Sequence, residues 1–323
     1  MNLNFFKPIA DDVKTIAPFF SMRPNKACDT GILDTYLWRD YYNTNICVVD
    51  NRAVLMLMHR NGEYFSAMPY CAEEDLQNYF NVIKQYFNEV LKKPLKIYLA
   101  DEEAVEKLNL QDDKNFYIKE EVNLKDYIYD GNDLRTLPGG KFYKKRSHIN
   151  KFLKTYEGRW EYKSLNCDEK SNVLKFLASW YKERFVGTND TDISLEYEAN
   201  GMQDVLKGCF FIDYFKAGGI FIDDKLEAIS LGSYNPREDM ACVAVEKGNQ
   251  SFTGIYQVIN QQFLLHEFPN VKLVNREDDL GIEGIRVAKE SYNPCCYERK
   301  YMVLQKDFDG WKNQINDQFE DQS

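Results

Sequence analysis

The chain has 323 residues, 44% of them apolar, 15% aromatic and 28% charged, enough for a large core and for two domains of roughly 150 residues each. Disordered, collagen-like and small disulfide-stapled classes are excluded. With 41 basic against 51 acidic residues the net charge is −10, which opposes general adhesion to nucleic acid or anionic lipid and confines any polyanion partner to a local basic patch.

Residues 1–20 carry no basic start followed by a long apolar stretch, and the longest apolar run of the first hundred residues, 53–58, is far below a membrane span, so no membrane span is expected. Residues 10–21 predict a helix, with Val13, Ile16 and Phe19 three apart. Residues 45–50 and 53–59 predict two strands about an Asn51-Arg52 turn. Residues 73–92 predict a long amphipathic helix from Leu76, Phe80, Ile83, Phe87 and Val90. A strand at 96–100, a short helix at 102–108 and one extended run at 116–129 follow. The polar cluster Asp130-Gly131-Asn132-Asp133 then marks a domain boundary, giving units at 1–133 and 134–323.

In the second half, Leu137-Pro138-Gly139-Gly140 leads into a basic helix, followed by a strand at 160–163 and helices at 173–185 and 202–215. A meander at 218–222, 228–234 and 240–245, a helix at 254–268 and a strand at 271–275 come next. A helix carrying Ile282, Ile285 and Ala288 precedes a last strand within 296–304. Both halves run through helix, meander, helix and strand in similar order, which predicts a duplicated α+β fold. Eight cysteines without a CxxC pair place the protein in the reducing cytoplasm.

Three segments carry chemistry. The strand containing Val243 and Val245 passes through Gly248, Asn249, Gln250, Ser251, Phe252, Thr253 and Gly254 into a helix opening at Ile255 and Tyr256; amides delivered to a helix start form a natural diphosphate cradle. An N-capped helix is the plain structural reading of the same residues. Lys141, Lys144, Lys145, Arg146, Lys151 and Lys154 follow one another with no acid between them, against the balance of the chain. Lys145 flanks the apolar stripe of that helix and needs a carboxylate or ligand phosphate nearby. Asn275, Arg276, Glu277, Asp278 and Asp279 leave a buried strand at the place where open α/β sheets bind ligands, suited to a substrate ammonium group.

The strand-loop-helix at 243–256 resembles the coenzyme A grip of GNAT-type acyltransferases. Leu137 to Asn150, Tyr256 to Asn260, and Asn275 to Gly281 with Arg286, Lys289, Tyr292 and Pro294 together resemble the bacterial family related to the C-terminal domain of phosphatidylglycerol lysyltransferase. The resemblance covers nearly the whole chain. It implies an α+β fold of two tandem GNAT-like domains, each a mixed, mainly antiparallel sheet flanked by helices, as in Fem-type peptidyltransferases that use aminoacyl-tRNA.

Acyl transfer to an amine needs a held donor, a base and a group that protonates the leaving atom. Glu246 is the expected base and Tyr292 the expected acid; a turn carboxylate and a packed aromatic are their structural readings. The expected activity moves an acyl group from acyl-coenzyme A to a small-molecule or peptide amine, which Asn275, Arg276, Glu277, Asp278, Lys145 and Arg146 would bind. The rival donor is aminoacyl-tRNA docking on Lys141, Lys144, Lys145 and Arg146, and a third reading is a non-catalytic scaffold. His59, His148 and His266 show no HxH or HExxH spacing, so no metal is expected; GxSxG and P-loop motifs are absent.

Overall fold

The computed structural model describes residues 3–185, 193–208 and 214–306. Helices α1 (Ala10–Ile16) and α2 (Ile32–Leu37) precede a four-stranded antiparallel sheet of β1 (Asn45–Val49), β2 (Ala53–Arg60), β3 (Glu63–Phe65) and β4 (Tyr70–Cys71). The β1–β2 turn holds Asp50 at φ 54° and Asn51 at φ 52°. Aspartate and asparagine tolerate this left-handed backbone, so the tight hairpin forms without glycine. Then come α3 (Leu76–Tyr86), β5 (Lys96–Asp101) and α4 (Glu102–Lys107), whose first turn is capped by the Asp101 carboxylate accepting from the Ala104 amide at 3.0 Å.

The stretch expected as one extended run is two strands, β6 (Phe116–Glu120) and β7 (Asp126–Asp130), parted by a 3-10 turn and placed in different sheets. The polar cluster after it is no loose connection. Asp130 accepts from the Asp133 amide at 2.8 Å and starts α5 (Gly131–Thr136). The second half continues with α6 (Tyr143–Thr155), β8 (Trp160–Ser164), α7 (Lys170–Phe185) and α8 (Ile193–Gly208), then the meander β9 (Phe215–Ile222), β10 (Lys225–Asn235) and β11 (Met240–Gly248). It closes with α9 (Ile255–Glu267), β12 (Leu273–Asn275), α10 (Glu283–Glu290), β13 (Cys296–Glu298) and β14 (Lys300–Gln305). The helix expected at 202–215 lies earlier, as α8; residues 209–213 fall outside the described residues.

The large sheet has the order β13-β7-β12-β11-β10-β9-β8, and a small one the order β5-β14-β6. β7 pairs with β13 and β6 with β14, both antiparallel, so 116–130 and 296–305 make one two-stranded ribbon that leaves one sheet and enters the other. Its crossing point is held by the Glu121 amide donating to the Lys300 carbonyl at 2.8 Å. One face of the large sheet packs Ile220, Val243 and Val274 against Phe142, Ile149, Phe152, Val258 and Phe263 of α6, α9 and the turn before α6. The other packs Phe221, Ile229 and Val245 with Val173, Leu177 and Val205 and with Leu33, Tyr36 and Leu37 of α2, so this core joins the two halves. A third core lies under β5 and β14 with Phe80, Ile83 and Phe87.

Cys28, Cys47, Cys71, Cys242, Cys295 and Cys296 are free thiols, whereas Cys167 is disulfide-bonded. Among the described residues no helix is long and apolar enough to cross a membrane.

Candidate functional site

β11 and β12 run parallel and pair only between 240–242 and 273–275, after which they diverge. Chain ends leaving a parallel pair this way open a crevice at their carboxyl ends. Across it Arg276 Nη2 meets Glu246 Oε1 at 3.0 Å, and Asn260 Nδ2 of α9 donates to Glu246 Oε2 at 3.0 Å. The guanidinium carbon lies 4.8 Å from the ring centre of Tyr292, which is buried. Lys145 Nζ lies 3.8 Å from the same ring centre and donates to Ser291 Oγ at 2.6 Å. Burial, and then the Arg276 charge, push the Lys145 amine down to about 8. Burial holds the Tyr292 phenol above its ordinary range. Arg276 Nη1 is buried and reaches no acceptor among the described residues.

Lys145, Glu246, Arg276 and Tyr292 therefore meet in one fork although they come from 145 to 292 in the sequence. Arg146 does not join them. Its guanidinium donates to the carbonyls of Leu137 and, at 2.6 Å, Gly139, closing the turn that begins α6. Lys141 pairs with Asp133 at 2.6 Å. Lys144, Lys151 and Lys154 are exposed on one face of α6 and form no ion pair with the described residues.

The 248–256 loop spends most of its amides internally. Asn249 N donates to the Glu227 carbonyl at 2.8 Å, Phe252 N to the Asn249 carbonyl and Ile255 N to the Phe252 carbonyl, both at 3.1 Å. Ser251 N donates to Asn249 Oδ1 at 3.0 Å, and Tyr256 Oη to the Gly248 carbonyl at 3.1 Å. The amides of Gln250, Thr253 and Gly254 have no acceptor among the described residues. Gly254 sits at φ +93°, and a Cβ there would lie 2.6 Å from the His148 carbonyl oxygen, so this position requires glycine to press the loop onto α6. Val243 and Val245 are core residues, sent to opposite faces of the sheet by a bulge at Ala244.

The turn after β12 also has an acidic side. Asn275 is fully buried; its Nδ2 donates to the Lys26 carbonyl at 2.6 Å and to Asp126 Oδ2 at 2.8 Å, and its Oδ1 accepts from the Glu277 amide at 2.7 Å. Glu277 takes φ +59°, a strained conformation that a built-in set of contacts must hold. Lys289 Nζ supplies one, donating to the carbonyls of Arg276, at 2.5 Å, and Asp278. Lys300 Nζ is fully buried between Asp126 Oδ1 at 2.6 Å, Asp278 Oδ2 at 3.4 Å and Asp29 Oδ2. Asp279 instead pairs with Arg286 at 2.8 Å and accepts from Tyr127 Oη at 2.5 Å; the Arg286 contact holds its carboxyl down at about 2.

Asp34 of α2 faces the same region, only 4% exposed, and its carboxyl shares a hydrogen bond with that of Glu277 while no N–H or ammonium donor among the described residues reaches it. Burial and the neighbouring Asp29 charge push its carboxyl up to about 8. Asp29, Thr30, Asp34 and Thr35 line one end of a cavity of about 60 Å³ whose walls are Trp38, Tyr42, Met56, Met58, Phe65, Tyr70 and Tyr98. Sequence reasoning missed Asp29, Asp34, Asp126 and Lys300 because they come from separate segments. A lysine opening a strand that continues Tyr301, Val303 and Leu304 was the one available signal.

A mixed α+β sheet whose one parallel pair parts around a cation-lined fork is the setting in which the comparisons fall. The profile described as "Phosphatidylglycerol lysyltransferase, C-terminal" matches residues 24–304. The chain belongs to that family. A crystal structure of a conserved protein of unknown function from Bacteroides thetaiotaomicron matches with a TM-score of 0.83 and 27% identity, over 94% of this chain and 100% of that one. The L-PGS of Bacillus licheniformis matches at TM-score 0.63 and 11% identity over 91% and 92% of the two chains, and FemX at 0.61 and 7% over 94% and 98%; both show the fold alone. An uncharacterized protein of Mycoplasmoides gallisepticum is 25% identical over 179 residues, 55% of either chain, so the match spans about half the length of that curated relative.

Proposed function

We propose that the protein transfers an aminoacyl group, carried as an ester on an RNA end, to an amine-bearing acceptor, with the fork between β11 and β12 as the reaction site. The observation that carries this is the buried Arg276 Nη1 donor without an acceptor, beside a half-buried Lys145. A fixed donor of this kind suits the oxyanion that develops when an ester carbonyl is attacked. The amine nitrogen bonds to the carbonyl carbon, the ester C–O bond breaks, and the amine's proton ends on the departing ribose oxygen. Lys145, held near neutrality, relays that proton better than Glu246, whose two oxygens already accept from Arg276 and Asn260. Glu246 then orients Arg276, and Tyr292 is the platform on which both cations rest. The exposed Lys144, Lys151 and Lys154 supply a docking face for the RNA backbone.

A second reading, acyl-coenzyme A as donor, is favoured by the uncommitted amides of Gln250, Thr253 and Gly254. Thermal-shift titration with coenzyme A, acetyl-coenzyme A and bulk tRNA separates them, since a ligand at 100 times its dissociation constant adds about 2.7 kcal/mol. Stabilisation by tRNA that fades with salt, together with label transfer from charged tRNA to an amine, is the expected result. Stabilisation by acetyl-coenzyme A alone favours the second reading. No stabilisation by any of the three, and no transfer, overturns both in favour of a scaffold.

A further inference from the structure

The thiol of Cys28 and one carboxylate oxygen each of Asp34 and Glu277 all lie within 4.8 Å of one another. They come from two stretches of chain, 28–34 and the turn at 277, and Cys28 and Asp34 are buried. A buried carboxylate needs a cation, several donors or a proton of its own, because desolvation of an uncompensated charge costs several kcal/mol. The neighbouring triad shows how this fold meets that need, since Asp29, Asp126 and Asp278 surround the Lys300 ammonium. Asp34 receives no N–H or ammonium donor and shares a hydrogen bond only with Glu277 of the same cluster, and Lys289, the other nearby cation, directs its ammonium to two backbone carbonyls.

We infer that Cys28, Asp34 and Glu277 bind a divalent metal ion of the zinc class, leaving a fourth position toward the cavity that Asp34 lines. Zinc bonds of about 2.3 Å to sulfur and 2.0–2.2 Å to oxygen place neighbouring ligand atoms ~3.5 Å apart, within the spread found here. The thiol decides between cations. Magnesium and calcium select all-oxygen sites, and an ammonium group needs acceptors but no sulfur, whereas one thiolate with two carboxylates suits zinc. Outer contacts hold two of the ligands. Asp126 Oδ2 accepts from the Cys28 amide at 2.8 Å, and Asn275 Oδ1 accepts from the Glu277 amide at 2.7 Å. Three anionic ligands around a divalent ion leave one negative charge, which Lys289 faces. Sequence spacing could not display such a site, because its ligands sit at 28, 34 and 277 and none is a histidine. The inference is independent of the transfer chemistry at the fork.

The test dialyses the full chain against zinc chloride, then against metal-free buffer, and counts retained zinc by mass spectrometry. One zinc per chain is expected, lost in Cys28→Ser and Asp34→Asn and kept in the Cys295→Ser/Cys296→Ser double variant, which removes the exposed thiol pair. No retained zinc, or zinc lost only with Cys295 and Cys296, overturns the assignment. Where the single variants fail to fold, cobalt(II) replaces zinc in the unaltered chain. A thiolate-to-cobalt absorption that survives the Cys295/Cys296 double substitution supports the site, and a spectrum without it overturns it. Stabilisation by n-butylammonium with none by zinc also overturns it and identifies an amine pocket instead.

Discussion

Arg276 and Glu277 are adjacent in sequence yet belong to opposite electrostatic settings. On the fork side, Arg276 and Lys145 face a single carboxylate, Glu246, above the Tyr292 ring. On the other side, Asp29, Asp34, Asp126, Glu277 and Asp278 face two ammonium groups, Lys289 and Lys300. One strained turn therefore divides a cation-rich crevice from an anion-rich one within a few ångströms. The difference teaches how a chain with net charge −10 presents a positive site: it collects carboxylates behind the turn and leaves the cations in front.

The contrast can be broken most forcefully at Lys300. Lys300→Ala strands the buried Asp126 carboxylate and is expected to cost ~3–5 kcal/mol, read from the denaturant midpoint; a loss under about 1 kcal/mol means the acidic side is not held by this ammonium. Arg276→Met is next. It leaves Glu246 with Asn260 alone, costs roughly 2–3 kcal/mol, and removes transfer activity and tRNA-dependent stabilisation together.

Lys145→Met sharpens the comparison through pH. The folded state disfavours the Lys145 proton, since burial lowers this amine to about 8. Wild-type stability attributable to this residue therefore rises as pH climbs from about 8 toward the ordinary lysine value of ~10.4. The variant is expected to be more stable than wild type at pH 7 by no more than about 1 kcal/mol after solvent screening, with the gap closing by pH 10 in thermal melts. A gap that widens with pH contradicts the sign. The smallest effect on folding belongs to the Lys144→Gln/Lys151→Gln/Lys154→Gln triple variant, within ~0.5 kcal/mol of wild type. If RNA docks on this face, the slope of log affinity against log salt falls by about 2–3.

The element order was largely readable, and the four residues that meet at the fork stood out because each ends or flanks a periodic element. Lys145 drew notice by flanking an apolar stripe, Glu246 by ending a strand, Arg276 by following one. The ribbon was not readable: 116–129 and 296–304 keep extended patterns through the points where they change sheets, and hydrophobic alternation does not record which sheet a strand joins. Helix α2 escaped for the opposite reason. All six of its residues are buried, so no polar face betrays a helical period, and Asp34 was hidden with it. The loop at 248–256 taught a third lesson. Its small residues promised open amides, but Asn249 and the Glu227 carbonyl occupy part of that capacity within the fold.

The ribbon has a consequence for biosynthesis. β5 and β6 do not touch each other as neighbours; β14 lies between them and is among the last described residues made. A ribosome that has released residues 1–133 has therefore delivered a small sheet lacking its middle strand, with two bare edges awaiting residues 300–305. Nascent chains arrested near residue 140 should resist proteases poorly and acquire protection only once β14 emerges, so residues 96–120 complete their sheet only after residues 300–305 are made.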